Sequence, residues 1–186
     1  TDNEKVLMND VDRCFYCKYE LFLRAKQLAA NLGAVHVLDG TNKSDLSLYR
    51  PGLRALKELG IISPLAKCGF EKSDVRALAA ELGISVAARP SAPCLATRFP
   101  YNQRLPIDKF PMLDAGERLL KQLGFEICRI RLYGEVTRIE IMPEKFLLFI
   151  NKRDEIIKEL KIVVLLKKEL ENSIKILELP TSYLQL

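Results

Sequence analysis

Helical segments that end at a glycine most constrain the fold of this chain. Four such segments carry apolar side chains at helical spacing: residues 14–32 before Gly33, 53–59 before Gly60, 72–82 before Gly83 and 112–123 before Gly124. Glycine commonly follows a helix because it adopts the left-handed conformation without steric cost. Ser73 is the predicted N-cap of the third helix. The predicted core-facing stripe of the first helix consists of Leu21, Phe22, Ala25, Leu28 and Leu32.

Short β-branched runs alternate with these helices in the first half of the chain. Residues 34–38 and 84–88 are predicted to be buried strands, and residues 61–65 form another short apolar segment. Strands that alternate with helices are typical of a parallel α/β sheet. The first run ends at Asp39, and open α/β sheets bind ligands beyond the carboxyl ends of their strands. We therefore expect the loop 39–42 at a ligand-binding edge.

A cluster of prolines among polar residues at 99–110 indicates a linker or domain boundary. We place the boundary between residues 105 and 106. The prediction is therefore an α/β domain over residues 1–105, followed by a smaller α+β domain over residues 106–186.

The smaller domain carries the pattern of a β-hairpin. Residues 126–132 and 136–142 alternate in polarity on either side of Gly134. The two predicted faces are an apolar face with Ile127 and Leu132, and a second face with Arg129 and Arg131. From Glu144 onward the pattern is again helical. The tail contains strand-like pieces at 162–166 and 174–180, which the sequence alone does not place in the fold.

Composition limits the class of protein. The chain has 186 residues, 48% hydrophobic and 28% charged, so it can bury a core and lacks the composition of a disordered protein. No apolar run approaches the ~20 residues that span a bilayer. No signal peptide is recognisable at the start, and since Thr1 is not an initiator residue, we expect native residues before it. Five cysteines, an odd number, favour a reducing cytoplasm over a secreted disulfide scaffold. The net charge of +5 indicates an anionic ligand, either a nucleotide or nucleic acid.

Two cysteine sites lie in basic surroundings. One is the stretch Arg89-Pro90-Ser91-Ala92-Pro93-Cys94-Leu95-Ala96-Thr97-Arg98, whose prolines exclude a regular helix before the thiol. The other is Asp12-Arg13-Cys14-Phe15-Tyr16-Cys17-Lys18, whose thiols lie three residues apart and hence on one helix face. Neighbouring guanidinium groups favour the thiolate, which attacks electrophiles and binds metals. We therefore expect the fold to bring Cys14, Cys17 and Cys94 together.

These thiols leave several alternatives open. A CxxC pair is also the pattern of a redox couple, or of two incidental thiols. A structural zinc ion needs four ligands, whereas His36 lies in an apolar run typical of a buried core residue. Cys68 and Cys128 stand in ordinary helix–loop and strand contexts. Three thiolates suit an iron–sulfur cluster with one open iron, and Cys94 acting alone is the remaining option.

Polar groups elsewhere suit a nucleotide. The segment that contains Asp39, Thr41, Asn42 and Arg50 offers donors and acceptors, although plain turns use the same residue types. Arg129 and Arg131 project from one strand face, where two guanidinium forks can grip one phosphate, and the alternative is a solvated edge strand. Glu117, taken alone, is an ordinary surface carboxylate.

The motifs resemble the LarE-type ATP-dependent sulfur transferases of the PP-loop pyrophosphatase superfamily. The matching pieces follow the family order from about residue 10 to 150: Asp12-Arg13-Cys14-Phe15-Tyr16-Cys17-Lys18, Asp39-Gly40-Thr41-Asn42, Tyr49-Arg50-Pro51-Gly52, Ser63-Pro64-Leu65, Lys72-Ser73-Asp74-Val75-Arg76, Pro93-Cys94-Leu95-Ala96-Thr97-Arg98, Arg129-Ile130-Arg131 and Arg138-Ile139-Glu140. The resemblance implies an α/β PP-loop domain with a parallel sheet, here without its N-terminal part, and then the smaller α+β domain.

The resemblance also implies an activity in the synthesis of the nickel-pincer nucleotide cofactor. In the family, ATP with Mg²⁺ adenylates a carboxylate of a pyridinium dicarboxylate mononucleotide, and sulfur then replaces AMP to give a thiocarboxylate. In some members the cysteine matching Cys94 gives up its own sulfur and becomes dehydroalanine. Members that also carry the CxxC hold a [4Fe-4S] cluster on three cysteines. This chain resembles the second kind, with Cys14, Cys17 and Cys94 as the implied ligands.

The implied roles of the other residues follow the same motifs. Asp39, Thr41, Asn42 and Arg50 are expected to line the adenylation site, because the first predicted strand ends there and polar residues at that edge of a parallel sheet face the nucleotide crevice. The resemblance places Arg129 and Arg131 where family members bind the substrate phosphate, and Arg98 is expected to bind the same substrate. Glu117 matches a position near the reacting groups, where a carboxylate accepts a proton or binds Mg²⁺, and Cys94 is catalytic as well as cluster-binding. The expected partners are ATP and the small nucleotide, in a homo-oligomer of the cytoplasm, with no membrane and no nucleic acid.

The chain departs from the motifs of the family at two points, and three alternative functions stay open. The SGGxDS-type PP-loop is absent, and so is the C-terminal Gly-Tyr/Phe-Arg-x-Gly-Ser motif. The first alternative is a PP-loop tRNA thiolase, which the modest charge and the lack of a lysine-rich aromatic patch disfavour. The second is sacrificial sulfur donation from Cys94 without a cluster. The third is a non-catalytic oligomeric α/β protein with a structural metal.

Overall fold

The computed structural model describes residues 2–134, 136–164 and 173–178. The chain forms two compact units, Thr1–Arg89 and Pro90–Leu186. The division falls ahead of the proline cluster, whereas the sequence placed the boundary between residues 105 and 106. Within the second unit, Leu105 is buried and the ring of Phe99 stacks on Phe110 at 5.7 Å. Phe99 also packs against the core of the second unit, so the stretch 99–110 is part of that unit.

The first unit consists mainly of helices. They are α1 (Glu4–Leu7), α2 (Arg13–Asn31), α3 (Lys43–Leu46), α4 (Pro51–Glu58), α5 (Pro64–Lys67) and α6 (Lys72–Glu81). The three helices predicted from the glycine pattern in this unit are confirmed, and Gly83 after α6 has a φ of +69°, the left-handed conformation. The predicted N-cap of α6 is wrong. Glu71 is the N-cap, because its N–H donates to the carboxylate of Asp74 at 2.9 Å, and Ser73 lies inside the first turn.

The core of the first unit lies between α2 and α4. Its buried residues are Leu56, Leu59 and Ile61, against which Tyr19, Phe22, Val37 and Leu53 pack. The predicted stripe of α2 is therefore wrong for three of its members: Leu21, Leu28 and Leu32 are exposed. Helical periodicity places residues 19, 22 and 26 on one side of α2, and that side faces α4, where Lys26 Nζ donates to the Leu59 carbonyl at 2.8 Å.

The two strands predicted for the first unit are not formed. Within 34–38, Leu38 alone makes a bridge, parallel to Ile62, and residues 85–88 form turns. A β-branched run becomes a regular strand only where neighbouring strands pair with it, and here Val35 is exposed. His36, predicted to be a core residue, is exposed as well. Over its described residues, the first unit thus contains one parallel bridge in place of a sheet.

The second unit combines helices with a three-stranded sheet. Short 3₁₀ turns at Leu95–Arg98 and Ile107–Lys109 precede α7 (Phe110–Gln122), β1 (Cys128–Tyr133), β2 (Val136–Ile141), a 3₁₀ turn at Pro143–Lys145, α8 (Phe146–Asn151), α9 (Arg153–Val164) and β3 (Ser173–Glu178). The sheet order is β1-β2-β3, antiparallel between the first two strands and parallel between the last two. The predicted α7, hairpin and following helices are confirmed. Of the unplaced tail pieces, 174–178 lies in β3, 162–164 ends α9, and 165–166 and 179–180 lie outside the described residues.

The inward face of the hairpin builds the core of the second unit. Cys128, Ile130 and Leu132 alternate inward from β1. Around them lie Leu113, Leu120, Phe125, Ile139, Ile141, Phe149, Ile156 and Leu160. Ile127 was assigned to the wrong face, since it precedes β1 and shares the parity of the arginines. In the part of the chain that the structure describes, no helix is long and apolar enough to cross a membrane.

Candidate functional site

Cys94 lies exposed at the start of a 3₁₀ turn in the second unit. Its carbonyl accepts two hydrogen bonds from Thr97, one from the backbone N–H at 2.9 Å and one from Oγ1 at 2.8 Å. Pro93, immediately before the cysteine, has a fixed φ and no backbone N–H. The thiol is therefore accessible on a backbone that is fixed from its C-terminal side.

Arg98 ends this turn in a buried ion pair with Glu117 of α7. Nε donates to Oε1 at 2.6 Å and Nη2 donates to Oε2 at 2.9 Å, while the two residues are 3% and 6% exposed. The N–H of Ile130 on β1 donates to Oε1 at 3.0 Å. One carboxylate thus ties together the cysteine turn, α7 and β1. The sequence assigned Arg98 to substrate and Glu117 to catalysis, whereas these side chains bind each other.

Charged side chains cover the face of the hairpin opposite its core. The strand register sets Arg129 opposite Glu140 and Arg131 opposite Arg138. Arg131 Nε lies 2.8 Å from Glu140 Oε1, and Arg138 Nη1 lies 3.3 Å from the same oxygen. Arg131 Nη1 also donates to the Thr97 carbonyl at 2.6 Å, which connects this face to the cysteine turn. We call these four residues, Arg129, Arg131, Arg138 and Glu140, the arginine face.

The arginine face carries a net positive charge, and it contains a buried carboxylate oxygen of Glu140. Arg129 is buried, whereas Arg138 is the more open group, with its guanidinium 4.8 Å from the Tyr133 ring centroid. Glu140 is 6% exposed, and its Oε2 accepts no hydrogen bond within the described residues. Buried polar atoms in folded proteins nearly always have a partner, so such an atom marks a place where a ligand group can donate. Arg138 and Glu140 were not predicted as site residues, although the strand alternation places both on the same face as Arg129 and Arg131.

Cys128 also lies beside the Arg98–Glu117 pair, but its thiol is expected to be unreactive. Burial, followed by the nearby Glu117 carboxylate, raises the pKa of the Cys128 thiol to about 12. Its Sγ lies 3.5 Å from the Glu117 carbonyl, to which it donates. Since the thiolate is the reactive and metal-binding form, Cys128 is a core residue.

In the first unit, Cys14 and Cys17 lie exposed on the first turn of α2. Arg13 is buried and donates to the side chain of Asn9, and Asp12 pairs with Arg54 of α4 at 3.1 Å. These contacts fix the turn on which both thiols stand. Over its described residues, neither unit by itself gathers three or more His, Cys, Asp or Glu side chains as a metal site. The predicted convergence of Cys14 and Cys17 with Cys94 involves both units and stays a prediction.

Gly52 on α4 lies close to the CxxC turn, a contact that was not predicted from the sequence. A Cβ added at Gly52 would lie 2.7 Å from Lys18 Cδ and 3.4 Å from the Cys14 carbonyl oxygen. An alanine there would displace the Lys18 side chain, whereas the Cys14 carbonyl oxygen would stay at van der Waals distance. The signal in the sequence is its position just after Pro51, at the N-terminus of a helix.

The predicted adenylation residues lie in one polar loop of the first unit. Asp39 accepts hydrogen bonds from Ser63 Oγ and Thr41 Oγ1, both at 2.5 Å. The side chain of Asn42 caps α3 by accepting from the Asp45 N–H at 3.1 Å, and Arg50 pairs with Asp45 at 2.9 Å. These contacts hold the loop in shape. Whether the same groups contact ATP stays a prediction.

Asn42 also lines a basic cavity of about 250 Å³. The cationic side chains at the cavity are Lys72, Arg76 and Arg89, and no carboxylate is among the lining residues. Partial burial, and then the charge of Arg76, lowers the pKa of Lys72. Lys72 and Arg76 share one face of α6 because they are four residues apart, which is the signal in the sequence for this site.

Curated proteins match most of this chain. An uncharacterised protein of Synechocystis is 38% identical over 149 residues, which cover 80% of this chain and 56% of that protein. The pyridinium-3,5-bisthiocarboxylic acid mononucleotide synthase of Lactiplantibacillus plantarum is 35% identical over 159 residues, 86% of this chain and 58% of the synthase. An uncharacterised protein of Methanocaldococcus jannaschii is 34% identical over 158 residues, 85% of this chain and 62% of that protein. No protein-family profile matches the chain.

The fold and the site define a protein of mixed helices and strands in which an exposed cysteine turn is joined to an arginine-rich strand face. The chain spans between 56% and 62% of the length of the curated relatives it matches. Over this shared region it belongs to the LarE-type family, that of the Lactiplantibacillus synthase. The resemblance predicted from the motifs is thereby confirmed, and the three-cysteine subtype stays a prediction.

Proposed function

We propose that this chain is part of an enzyme that inserts sulfur into a pyridinium dicarboxylate mononucleotide, with ATP, for nickel-pincer cofactor synthesis. The observation that carries the proposal is the 35% identity, over 86% of the chain, to a named synthase of that product class. The exposed Cys94 turn and its connection to an arginine-rich face support it, because sulfur chemistry and an anionic substrate need those two features side by side.

The arginine face is the proposed binding site for the phosphate of the nucleotide. Arg129 and Arg131 were predicted for this role, and Arg138 joins them as the more accessible guanidinium. Guanidinium groups bind phosphate through paired N–H donors, and each such charge-assisted hydrogen bond contributes ~1.5–3 kcal/mol. A substrate hydroxyl that donates to Glu140 Oε2 would satisfy the buried oxygen.

ATP is proposed to bind in the first unit, at the loop with Asp39, Thr41, Asn42 and Arg50. The basic cavity beside Asn42 supports this placement, since Lys72 and Arg76 supply positive charge with no carboxylate among the lining residues. A partly desolvated lysine interacts more strongly with phosphate than a solvated one does, because the local dielectric is lower.

The proposed [4Fe-4S] cluster would be held by Cys14, Cys17 and Cys94. The donor set fits such a cluster, because all three thiols are exposed and the first two share one helix turn. When bound, the cluster would supply the sulfur through its open iron. Glu117 does not fit the role of a Mg²⁺ ligand, since both carboxylate oxygens already accept from Arg98. Mg²⁺ is therefore proposed to enter with ATP.

The proposed reaction has two steps. A carboxylate oxygen of the substrate attacks the α-phosphorus of ATP, and pyrophosphate leaves. Sulfur at the oxidation level of hydrosulfide then attacks the activated carbonyl carbon, the acyl–oxygen bond to AMP breaks, and the products are the thiocarboxylate, AMP and a proton. The residues of this chain hold the phosphate on the arginine face, fix the Cys94 turn, and keep the neighbouring Cys128 thiol protonated.

Anaerobic purification of the full-length protein tests the proposal. We expect iron and acid-labile sulfide in the wild type, and ATP-dependent appearance of the thiocarboxylate nucleotide. Cys14→Ser should lose iron, sulfide and product. Cys68→Ser, the matched control at another exposed thiol of the first unit, should retain all three. Full product formation by Cys14→Ser without iron, accompanied by dehydroalanine at position 94, would instead establish sacrificial donation from Cys94.

A further inference from the structure

A chain of hydrogen bonds runs from Cys94 into the interior of the second unit. The Cys94 carbonyl accepts from both the N–H and Oγ1 of Thr97. Thr97 is itself held twice, because Arg98 Nη1 donates to its Oγ1 at 2.8 Å and Arg131 Nη1 donates to its carbonyl at 2.6 Å. Thr97 therefore connects Arg98 and Arg131 to the backbone of Cys94 through hydrogen bonds, and we call this set of hydrogen bonds the relay.

Arg98 and Glu117 use their polar atoms on the protein itself. All three guanidinium nitrogens of Arg98 donate: Nε and Nη2 to Glu117, and Nη1 to Thr97. Both Glu117 oxygens accept from Arg98, and Oε1 also accepts from the Ile130 N–H. Both side chains are almost fully buried, so a substrate or cation could contact them only if the packing around the pair opened. The pair therefore has a structural role, since it connects the cysteine turn to α7 and β1.

We propose that the Arg98–Glu117 pair, acting through Thr97, positions Cys94 for sulfur delivery and binds neither substrate nor metal. The inference rests on the proposed function for what Cys94 does. It replaces the roles predicted from the sequence, Arg98 on the substrate and Glu117 in catalysis. Pro93 has a fixed φ on one side of Cys94, and the hydrogen bonds from Thr97 fix the Cys94 carbonyl on the other.

The expected kinetic effect follows from geometry. A reacting group that shifts by 1 Å can lose about 100-fold in rate, while substrate binding elsewhere is unaffected. Removing one hydrogen bond from the cysteine turn should displace Cys94 by less than about 1 Å. We therefore expect a decrease in kcat of about 10-fold, with the KM for each substrate changed less than about 2-fold.

Thr97→Val is the gentlest test, because it keeps the side-chain shape and removes only the hydroxyl of a half-buried residue. The full-length protein is stripped of metal with a chelator, reduced, and treated with iodoacetamide. Peptide mass spectrometry then gives the alkylation rates of Cys94 and of Cys68, an exposed thiol in the other unit that serves as internal reference. We expect the Cys94-to-Cys68 ratio to rise at least about 3-fold in Thr97→Val. Thr97→Ser keeps the hydroxyl and should restore the ratio.

Steady-state kinetics of Arg98→Lys separates positioning from substrate contact. Lysine keeps the charge but loses the two-pronged contact with Glu117, so kcat should fall while the KM for the nucleotide stays within about 2-fold. Arg118→Lys is the matched control, because Arg118 follows Glu117 on α7 in an exposed ion pair with Asp114. It should leave kcat and the alkylation ratio at wild-type values.

Each outcome decides the proposal. A raised nucleotide KM with unchanged kcat in Arg98→Lys would show that Arg98 touches the substrate, and an unchanged or lowered Cys94 ratio in Thr97→Val would show that the relay does not hold the thiol. Either result overturns the inference. If the wild type transfers no sulfur, the proposed function fails, yet the alkylation ratio still decides whether the pair positions Cys94.

Discussion

Arg98→Met is expected to destabilise the second unit far more than an equivalent change at the surface. The substitution keeps a long side chain but leaves the Glu117 carboxylate buried, with the Ile130 N–H as the donor that remains from the network described above. Removing one partner of a buried ion pair typically costs 3–5 kcal/mol, because the remaining charge is desolvated without compensation, so we expect about 3–5 kcal/mol here.

The same structure predicts a partial recovery when the second partner is removed. Arg98→Met combined with Glu117→Leu removes both charges and leaves the Ile130 N–H without its acceptor. An unsatisfied buried donor costs about 1–3 kcal/mol, so the double variant should be roughly 2 kcal/mol more stable than Arg98→Met. Arg118→Met, which removes an exposed pair with 3.1 Å between Arg118 Nη2 and Asp114 Oδ2, should cost less than about 1 kcal/mol.

Pulse alkylation of Cys128 in increasing urea measures the free energy of unfolding for this unit alone. The thiol is buried in the folded state and becomes reactive when the unit unfolds. The urea midpoint and slope give the free energy by linear extrapolation. A cost for Arg98→Met no larger than that for Arg118→Met, or a double variant less stable than Arg98→Met, would contradict the destabilisation expected from an unpaired buried charge.

Three further predictions concern other groups. Because burial raises the pKa of Cys128 to about 12, the folded state favours the neutral thiol, and stability should fall as the pH rises from about 9 towards 12; Cys128→Ala should flatten this part of the pH–stability curve measured by urea unfolding. Arg131→Ala should raise the nucleotide KM and also lower kcat, since Arg131 holds the Thr97 carbonyl, and an unchanged kcat would separate the arginine face from the cysteine turn. Asn42→Ala should destabilise α3 by about 1 kcal/mol through loss of its N-cap, and the adenylation role requires in addition a raised KM for ATP.

Local patterns were sufficient to predict the hairpin and most helices. The alternation on either side of Gly134 gives both strands and places Arg129 and Arg131 on one face, because side-chain direction in a strand depends only on parity. A glycine after each apolar segment likewise gave the ends of α2, α6 and α7. These features depend on neighbours in the chain, so a sequence contains them directly.

Features that depend on distant partners could not be predicted in this way. The periodicity of α2 indicates a helix, but whether Phe22 or Leu21 faces inward is decided by α4. The run at 34–38 is β-branched, but a regular strand also needs a paired neighbour. The pairing of Arg98 with Glu117 joins residues 19 apart, and in the sequence each resembles a group that is available to a ligand. Arginine and glutamate occur both in ligand-binding sites and in structural ion pairs, and only the groups that they contact in the fold distinguish the two roles.

The mixed direction of the second unit's sheet has a consequence for the order in which it folds. β1 ends at Tyr133 and β2 begins at Val136, so their pairing closes a short loop. α8 and α9 lie between β2 and β3 in the sequence, so the parallel pairing closes a much longer loop. Closing the longer loop costs more chain entropy before any contact compensates for it. We therefore expect the hairpin to form early and the parallel strand to dock last, which leaves one side of β2 open to a wrong partner until that step is complete.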